Sequence, residues 1–289
     1  MKSRLSPGSD APFAQVWRVA NGYGMMSSDA DLTLLPLLGP DELPAFELIN
    51  PQGQSNAVLV CDHASNRVPQ RLGNLGLDAA QLAEHIAWDP GAAEVARLLC
   101  AELDAPLVLS GYSRLVIDCN RPLHNAESIA AQSAGILVPG NLDLSRQQRE
   151  SRINALFRPY HDAIDQLLES RIRQPSLLLS IHSFTPVLHE QSRPWHIGVS
   201  FWRDRRFASL LIDALARSGD IIVGDNQPYP IEADIDYTIP VHGEARKIPS
   251  AMIEIRQDGI RTVTGVAAWA TRLAEAYRLC ETAALKIQV

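Results

Sequence analysis

Short apolar runs that alternate with longer amphipathic segments are the feature that most limits what this chain can fold into. The runs begin at residue 57 and are rich in Val, Ile and Leu; they are Ala57–Cys61, Pro106–Leu109, Leu115–Asp118, Leu177–Ile181, Ile197–Phe201, Ile221–Val223 and Ala251–Ile255. Continuously apolar runs are typical of strands that are covered on both faces. Strands that alternate with helices predict an α/β fold with a mixed, mostly parallel sheet flanked by helices.

The segments between these runs have the apolar periodicity of helices. One begins near Asp89, one spans residues 153–168 with a break expected at Pro159, one covers residues 207–216, and the last runs from about 260 to 285. Residues 1–50 differ, because glycine and proline interrupt them and no period is sustained. We therefore predict an N-terminal extension over residues 1–50, packed on a single catalytic α/β domain over residues 51–289.

The charge balance and the absence of long apolar segments exclude two classes of partner. The chain has 26 basic and 33 acidic side chains, a formal charge of −7, so no basic excess is available to neutralise nucleic-acid phosphates. No uninterrupted apolar run approaches the length of a membrane span. Lys2 and Arg4 are not followed by a hydrophobic segment, and the cysteines form no C-x-x-C pair. We expect a cytoplasmic protein with reduced thiols and no membrane or nucleic-acid partner.

Two histidines follow predicted strands at the edge where ligands bind in open α/β sheets. His63 comes just after the run 57–61, and His182 comes directly after the run 177–181. Each alone is explained by a hydrogen-bonded loop histidine. Imidazole is the commonest neutral metal ligand, and two imidazoles from adjacent strand ends can converge on one ion.

Asp89 can be explained in two ways. It precedes Pro90 and Gly91 at a predicted helix start, where a carboxylate caps the helix and proline suits its first position. The alternative is a third metal ligand held rigid by the helix start. The two roles could also coexist, with one carboxylate oxygen capping the helix and the other binding the metal.

Glu254 interrupts the apolar run 251–255 near its end. A buried carboxylate without a partner is costly, so it is expected to be paired or functional. A salt bridge to an arginine is one interpretation. A general base for a hydrolytic water is the other.

The segment 112–122 carries several polar groups beside one strand. Arg114, Asn120 and Arg121 could receive a substrate carboxylate, because the guanidinium fork makes two parallel hydrogen bonds to it. An internal ion pair between Asp118 and one arginine explains the same residues without a ligand. Further along the chain, His242 lies in a polar loop where it could face substrate. Arg256 adds positive charge near the Glu254 strand, which favours an anionic substrate.

Six motifs in order resemble the N-formylglutamate amidohydrolase family over residues 56–261. They are C-D-H-A-S-N at 61–66, H-I-A-W-D-P-G at 85–91, S-R-L-V-I-D-C-N-R at 113–121, P-Y-H at 159–161, S-I-H-S-F at 180–184 and I-E-I-R-Q-D at 253–258. The resemblance implies the mixed α/β fold of the zinc-dependent exopeptidases and amidases, with a metal held by His, an acidic residue and His. Residues 225–248 lack the glycine-rich stretch of the histidine-degradation branch.

The resemblance also implies roles for particular residues. His63, Asp89 and His182 match the ligands of one divalent ion, zinc being the expected metal, and Glu254 matches the catalytic acid/base. Asn120 and Arg121 resemble the pair that holds a substrate carboxylate in carboxypeptidase-like relatives. Asn66 stands where H-x-x-E relatives have their acidic ligand, which makes Asp89 the better third ligand.

The implied reaction is metal-dependent hydrolysis of a linear amide in a small anionic N-acyl amino acid. With N-formyl-L-glutamate the products are formate and L-glutamate, and Arg114 or the metal would stabilise the oxyanion. The substrate contacts expected are Asn120, Arg121, His242 and Arg256. Another N-acyl amino acid, a related peptidoglycan amidase, a metal-free hydrolase using Cys61 or Ser183, and a non-catalytic binding protein remain the alternatives.

Overall fold

The computed structural model describes residues 36–188 and 190–288. Residues 1–35 of the predicted extension therefore lie outside the described residues. In the described part of the predicted extension, residues 46–49 form an edge strand of the main sheet and so are part of the domain. Within the described ranges, no helix is long and apolar enough to cross a membrane.

Six of the seven predicted apolar runs overlap a strand of the structure, which has further short strands besides. The strands are β1 (Phe46–Ile49), β2 (Ala57–Cys61), β3 (Leu107–Ser110), β4 (Gln132–Ser133), β5 (Ile136–Leu137), β6 (Leu177–Phe184), β7 (Val187–Leu188), β8 (Gln191–Ser192), β9 (Ile197–Ser200), β10 (Val223–Asp225) and β11 (Ser250–Arg256). The pairs β4–β5 and β7–β8 form two small hairpins apart from the main sheet.

The main sheet is mixed and mostly parallel, which confirms the predicted fold class. Its strand order is β1-β3-β2-β6-β11-β9-β10. The central strands β3, β2, β6 and β11 are parallel neighbours, whereas β1 and β9 run antiparallel to β3 and β11. Parallel neighbours end at one edge, so residues at the ends of β2, β6 and β11 come together there.

Four of the helices in the described residues cover the main sheet, with the second, fifth and sixth on one face and the fourth on the other. The helices are α1 (Ala79–Ala83), α2 (Ala92–Leu103), α3 (Arg146–Arg152), α4 (Arg158–Ser170), α5 (Arg206–Ala216) and α6 (Val263–Leu285). A π-helical turn at 153–157 joins α3 to α4, and Pro159 lies in the first turn of α4. The break predicted at Pro159 is therefore present, since proline has no N–H for the regular ladder.

Alternate side chains of the central strands feed two apolar clusters, one on each face. On β2, Leu59 packs into the cluster formed with α2, α5 and α6, while Val58 and Val60 pack into the cluster formed with α4. This two-sided burial is the reason that β2 is apolar at every position. Packing in both clusters holds the ends of these strands, where the polar residues lie, in place between the helices.

One predicted strand is wrong. Leu115–Asp118 forms turns, with the Val116 N–H donating to Ser113 O and the Asp118 N–H to Ser128 O. Leu115 packs instead into a third apolar cluster beneath this loop. The backbone hydrogen bonds of this run are made within the loop and not with a neighbouring strand. A short buried apolar run can therefore be a packed loop as well as a strand.

Candidate active site

His63, Asp89 and His182 converge at the carboxyl edge of the sheet. His63 lies two residues beyond β2, and His182 lies within β6 near its end. One candidate ligand atom from each of the three residues lies within 4.8 Å of the others, and all three are buried. The three residues predicted to bind metal therefore form one cluster.

The carboxylate of Asp89 belongs to this cluster and does not cap the helix that follows it. The N-cap of α2 is Gly91, whose φ of 83° is left-handed, and no side chain caps the helix. A Cβ on Gly91 would lie 2.7 Å from the backbone oxygen of Ile260. Asp89 Oδ2 lies 2.8 Å from His182 Nδ1 and 3.4 Å from His63 Nδ1. The capping explanation for the side chain is thus not what the structure shows.

Each histidine presents its other ring nitrogen to a second buried carboxylate. His63 Nε2 lies 2.7 Å from Asp118 Oδ1, and His182 Nε2 lies 3.0 Å from Asp62 Oδ2. A carboxylate at Nε2 fixes the tautomer with the proton there and leaves the Nδ1 lone pair for a metal. Both Nδ1 atoms consequently face Asp89.

Asp62 is held by a full set of donors. Tyr160 and Thr238 donate to its Oδ1, and Ser180 donates to its Oδ2 beside His182. Burial alone would raise the pKa of Asp62, but the hydrogen bonds and positive charge of its partners outweigh burial and hold the pKa below its usual value. Asp62 is therefore an anion that orients His182.

The donor set of the cluster fits a divalent cation. Two neutral imidazole nitrogens and one carboxylate oxygen match a catalytic zinc site, which keeps a further position open. Burial lowers the pKa of His182, but the hydrogen bonds and charges of Asp62 and Asp89 outweigh burial and raise it well above its usual value. The carboxylates around the two imidazoles thus favour a cation at this point.

Glu254 borders the cluster from the neighbouring strand. It is buried, and its Oε2 has no hydrogen-bond partner among the described residues. Burial raises the pKa of this carboxyl to about 7. No arginine of the described residues lies within salt-bridge distance of Glu254, so the ion-pair interpretation is not supported.

Arg114 and Arg121 lie on the wall of the cavity beside Glu254. Arg114 gives Nε and Nη2 to Asp118 Oδ2, while its Nη1 lies 3.8 Å from Asp89 Oδ1. The Arg121 Nη1 donates to Asp236 at 3.3 Å. The internal ion pair foreseen for Asp118 therefore exists with Arg114, and Arg121 has a different acidic partner.

Both ends of the Asn120 side-chain amide have partners within the protein. Its Nδ2 donates to Asp236, and its Oδ1 accepts from the backbone N–H groups of Tyr237 and Thr238. Asn120 thereby fixes residues 236–238, and Thr238 in turn donates to Asp62. The structure gives Asn120 the place of a positioning residue, in addition to its exposure to the cavity.

His242 and Arg256 lie away from the cavity lining, although they were expected to contact substrate. His242 is buried with its Nε2 2.9 Å from His161 Nδ1 and its Nδ1 2.9 Å from Asp165 Oδ1. Arg256 pairs with Asp258 and donates to backbone oxygens of residues 193–195. Their side chains are taken up by these contacts, which the sequence pattern did not reveal.

The cavity above the cluster has a volume of about 340 Å³, within the range of small-molecule sites. Its lining contains the cluster and Glu254, together with His85, Arg114, Asn120, Arg121, Ser183, Phe184, Thr185, Tyr229, Pro230, Glu232, Ile235, Asp236 and Met252. Charged groups of both signs therefore face a ligand that sits on the cluster.

Three residues that the sequence offered for other roles, Asn66 as a ligand position and Cys61 and Ser183 as nucleophiles, make other contacts in the structure. Asn66 donates to the backbone oxygen of Leu82 and is not part of the His63–Asp89–His182 cluster. Cys61 is fully buried, and burial raises the pKa of its thiol well above the usual value. Ser183 Oγ donates to Pro90 O. Among the described residues, neither possible nucleophile has the histidine partner that would activate it.

A buried His–Asp–His cluster next to a free carboxylate, at the carboxyl edge of a mixed sheet, defines an α/β enzyme with a candidate metal centre. The comparisons agree with this class. The model of the N-formylglutamate amidohydrolase family matches residues 55–261, and the chain belongs to that family. The resemblance inferred from the motifs is confirmed.

Several solved structures are similar to this chain, and two of them carry the comparison. A gene product from Agrobacterium tumefaciens is 35% identical with a TM-score of 0.82, the match covering 86% of this chain and 99% of that one. An N-formylglutamate amidohydrolase from Ralstonia eutropha is 19% identical with a TM-score of 0.54, covering 83% of this chain and 98% of that one. The second similarity concerns the fold. The comparison with curated proteins gives no match.

Asp62 and Asp118 are the site residues whose roles the sequence did not reveal. Asp62 precedes His63 directly, yet its carboxylate serves His182, more than a hundred residues further along the chain. For Asp118 the sequence suggests only an arginine partner. That arginine is four residues away, but the histidine partner is brought in by the pairing of β2 with β3.

Proposed function

We propose that this chain is a metal-dependent amidohydrolase that converts N-formyl-L-glutamate and water to formate and L-glutamate. Membership of the N-formylglutamate amidohydrolase family supports the reaction class. The observation that carries the proposal is the buried Oε2 of Glu254, unpartnered among the described residues, beside the His63–Asp89–His182 cluster. A base without a partner, next to a cation site inside a small cavity, is placed to activate water.

The cluster would hold one divalent ion, with zinc as the expected metal. When bound, such an ion supplies Lewis acidity and lowers the pKa of water at the site toward about 7. His63, Asp89 and His182 are the proposed ligands. Asp118 and Asp62 orient the two imidazoles by accepting their Nε2 protons.

Glu254 performs the proton transfers in this proposal. Its Oε2 takes a proton from the water that attacks the formyl carbon, and the same carboxyl later gives the proton to the leaving amine nitrogen. A pKa raised to about 7 by burial suits both steps near neutral pH. The carbon–nitrogen bond breaks as the proton arrives, which releases formate and the free amino group.

Two arginines would bind negative charges, one on the tetrahedral intermediate and one on the substrate. The Nη1 of Arg114 is aimed at the edge of the cluster, where it can stabilise the oxyanion of the tetrahedral intermediate. Arg121 lines the cavity and is the proposed contact for a substrate carboxylate, while its Nη1 stays on Asp236. Asn120 supports Arg121 by holding the 236–238 segment, which contains Asp236.

A hydrolysis panel on metal-analysed protein tests the proposal. N-formyl, N-acetyl and N-succinyl derivatives of glutamate, glutamine and leucine would be compared, with amine release as the readout. We expect metal-dependent hydrolysis with N-formyl-L-glutamate as the best substrate. Turnover of an N-acetyl or N-succinyl substrate instead would keep the reaction class and change the acyl group. No turnover by fully metal-loaded protein would contradict the proposal.

A further inference from the structure

A buried arginine without an acidic partner among the described residues lies directly behind one wall of the cavity. Arg193 is only 8% exposed, and no carboxylate of residues 36–188 or 190–288 lies within 4.0 Å of its guanidinium. Its charge centre lies 4.7 Å from the ring centroid of Tyr229 and 5.7 Å from that of Phe184. Burying a cation that has no anionic partner is costly, so an anion bound near this wall would be stabilised by it.

Tyr229 links the Arg193 guanidinium to the cavity through a hydrogen bond. Arg193 Nη2 donates to the Tyr229 hydroxyl at 2.7 Å, and Tyr229 itself lines the cavity together with Glu254. A phenol that accepts from arginine still has its own O–H to donate, and the neighbouring positive charge strengthens it as a donor. The hydroxyl therefore offers a hydrogen bond to a ligand in the cavity.

Thr185 adds a second donor at the same wall. It lines the cavity, and its buried Oγ1 has no hydrogen-bond partner among the described residues. The Thr185 backbone oxygen accepts from Arg193 Nη1, which ties the two residues together. An oxygen of a ligand between Tyr229 and Thr185 would satisfy the orphaned hydroxyl.

Arg256 holds this wall in place. It donates to the backbone oxygens of Arg193, Pro194 and Trp195 at 3.2–3.4 Å, while its Nε pairs with Asp258. Arg256 follows Glu254 on β11 by two positions. The strand that carries the base thus also fixes the segment that carries Arg193.

We propose that Tyr229 and Thr185, backed by the Arg193 guanidinium, bind the side-chain carboxylate of a dicarboxylic N-acyl amino acid. The inference rests on the proposed function and adds a second anion subsite to the carboxylate contact of Arg121. Two cationic groups from separate elements suit a substrate with two negative charges. Tyr229 is the specificity-determining contact, and Arg193 is a positioning residue that acts through it.

The test compares N-formyl-L-glutamate with N-formyl-L-glutamine, in which an uncharged carboxamide of similar size replaces the side-chain carboxylate. The variants are Tyr229→Phe, which removes one hydroxyl, and Arg193→Gln, with Arg193→Lys as the conservative variant. Arg203→Gln is the matched control, because Arg203 also stacks on an aromatic ring, that of Trp202, but is exposed and outside the cavity lining.

We expect Tyr229→Phe and Arg193→Gln to lower kcat/KM for N-formyl-L-glutamate by about tenfold or more, the usual effect of losing a hydrogen bond to a charged group. The loss should arise through KM, with N-formyl-L-glutamine affected by less than about twofold. Arg193→Lys should recover part of the loss, and Arg203→Gln should behave as wild type. Equal losses for the two substrates would overturn the inference, since they would mean that the pair only supports the wall.

Binding separates this inference from the proposed function. If metal-loaded wild type hydrolyses neither compound, calorimetry with L-glutamate and L-glutamine still measures the subsite. A preference for L-glutamate that Tyr229→Phe abolishes would support the subsite while contradicting the proposed reaction. Equal binding of both amino acids, or a preference unchanged in Tyr229→Phe, would overturn the subsite.

Discussion

Glu254 and His182 occupy the same register position on neighbouring parallel strands, β11 and β6. Residues in register on adjacent strands lie on one face of the sheet about 4.8 Å apart at the backbone. The ladder hydrogen bonds of two buried central strands therefore set the distance from the proposed base to the His63–Asp89–His182 cluster. Rigid elements hold such geometry more accurately than loops do.

The carboxylates behind the histidines should control metal affinity. Asp118→Asn removes the anion that accepts the His63 Nε2 proton, so we expect metal affinity to fall by about 10- to 100-fold. Titration of metal-free protein with zinc and a competing chelator would measure this. Asp213→Asn, on the exposed face of α5, is the control and should bind metal as wild type does. Unchanged affinity in Asp118→Asn would mean that Asp118 only pairs with Arg114.

Asp89→Asn separates a metal ligand from a helix cap. Because Gly91 is the N-cap and no side chain caps α2, we expect the substitution to weaken metal binding without destabilising the metal-free protein through that helix. Metal content after dialysis and chemical unfolding of the metal-free protein are the two measurements. Loss of about 1 kcal/mol of unfolding free energy with full metal content would indicate a cap.

Arg121→Lys tests the contact to a substrate carboxylate. Lysine keeps the charge but not the planar fork, so we expect KM for N-formyl-L-glutamate to rise about tenfold with little change in kcat. The α-amide of the same substrate should be a poor substrate of the wild type and nearly indifferent to the change. If the acid and its amide lose equally, Arg121 serves only to hold Asp236.

His161 should make stability depend on pH away from the active site. Burial, reinforced by the neighbouring His242, lowers the pKa of His161 to about 3. Between that value and the unfolded pKa near 6.5 the unfolded chain binds more protons, so this group stabilises the fold above pH 6.5 and the contribution is lost as pH falls. We expect a loss of about 2 kcal/mol between pH 7 and 5 from this residue alone.

The measurement is the unfolding free energy of the metal-free protein at the two pH values. His161→Gln should flatten the pH dependence by that amount, whatever its effect at pH 7. His124→Gln, at an exposed position, is the control and should leave the slope unchanged. An unaltered slope in His161→Gln would show that other groups govern it.

The strands and the His63–Asp89–His182 cluster are largely predictable from the sequence. Apolar runs that need burial on both faces indicate the central strands, and the rule that parallel strands end at one edge places His63 and His182 together. Asp89 keeps two explanations at the level of sequence, since the left-handed backbone of Gly91 decides the matter and is not visible in the letters. Leu115–Asp118 has the pattern of a strand because its apolar residues pack under a loop.

The contacts of polar side chains are what the sequence could not provide. His242 was expected to face substrate, yet it is buried against His161 and Asp165. Arg193 carries no sequence pattern, because its importance lies in the lack of a carboxylate near it among the described residues and in its bond to Tyr229, 36 residues away. Long-range pairings of this kind depend on how loops pack, and apolar periodicity does not encode them.

The most direct test of the proposed function is the turnover of Glu254→Gln with metal content measured on the same sample. Glutamine keeps the shape of Glu254 but cannot take up a proton. We expect full metal content, an unchanged fold and a kcat for N-formyl-L-glutamate lower by about 10²- to 10⁴-fold. Wild-type turnover in metal-loaded Glu254→Gln would contradict the assignment of Glu254 as the base.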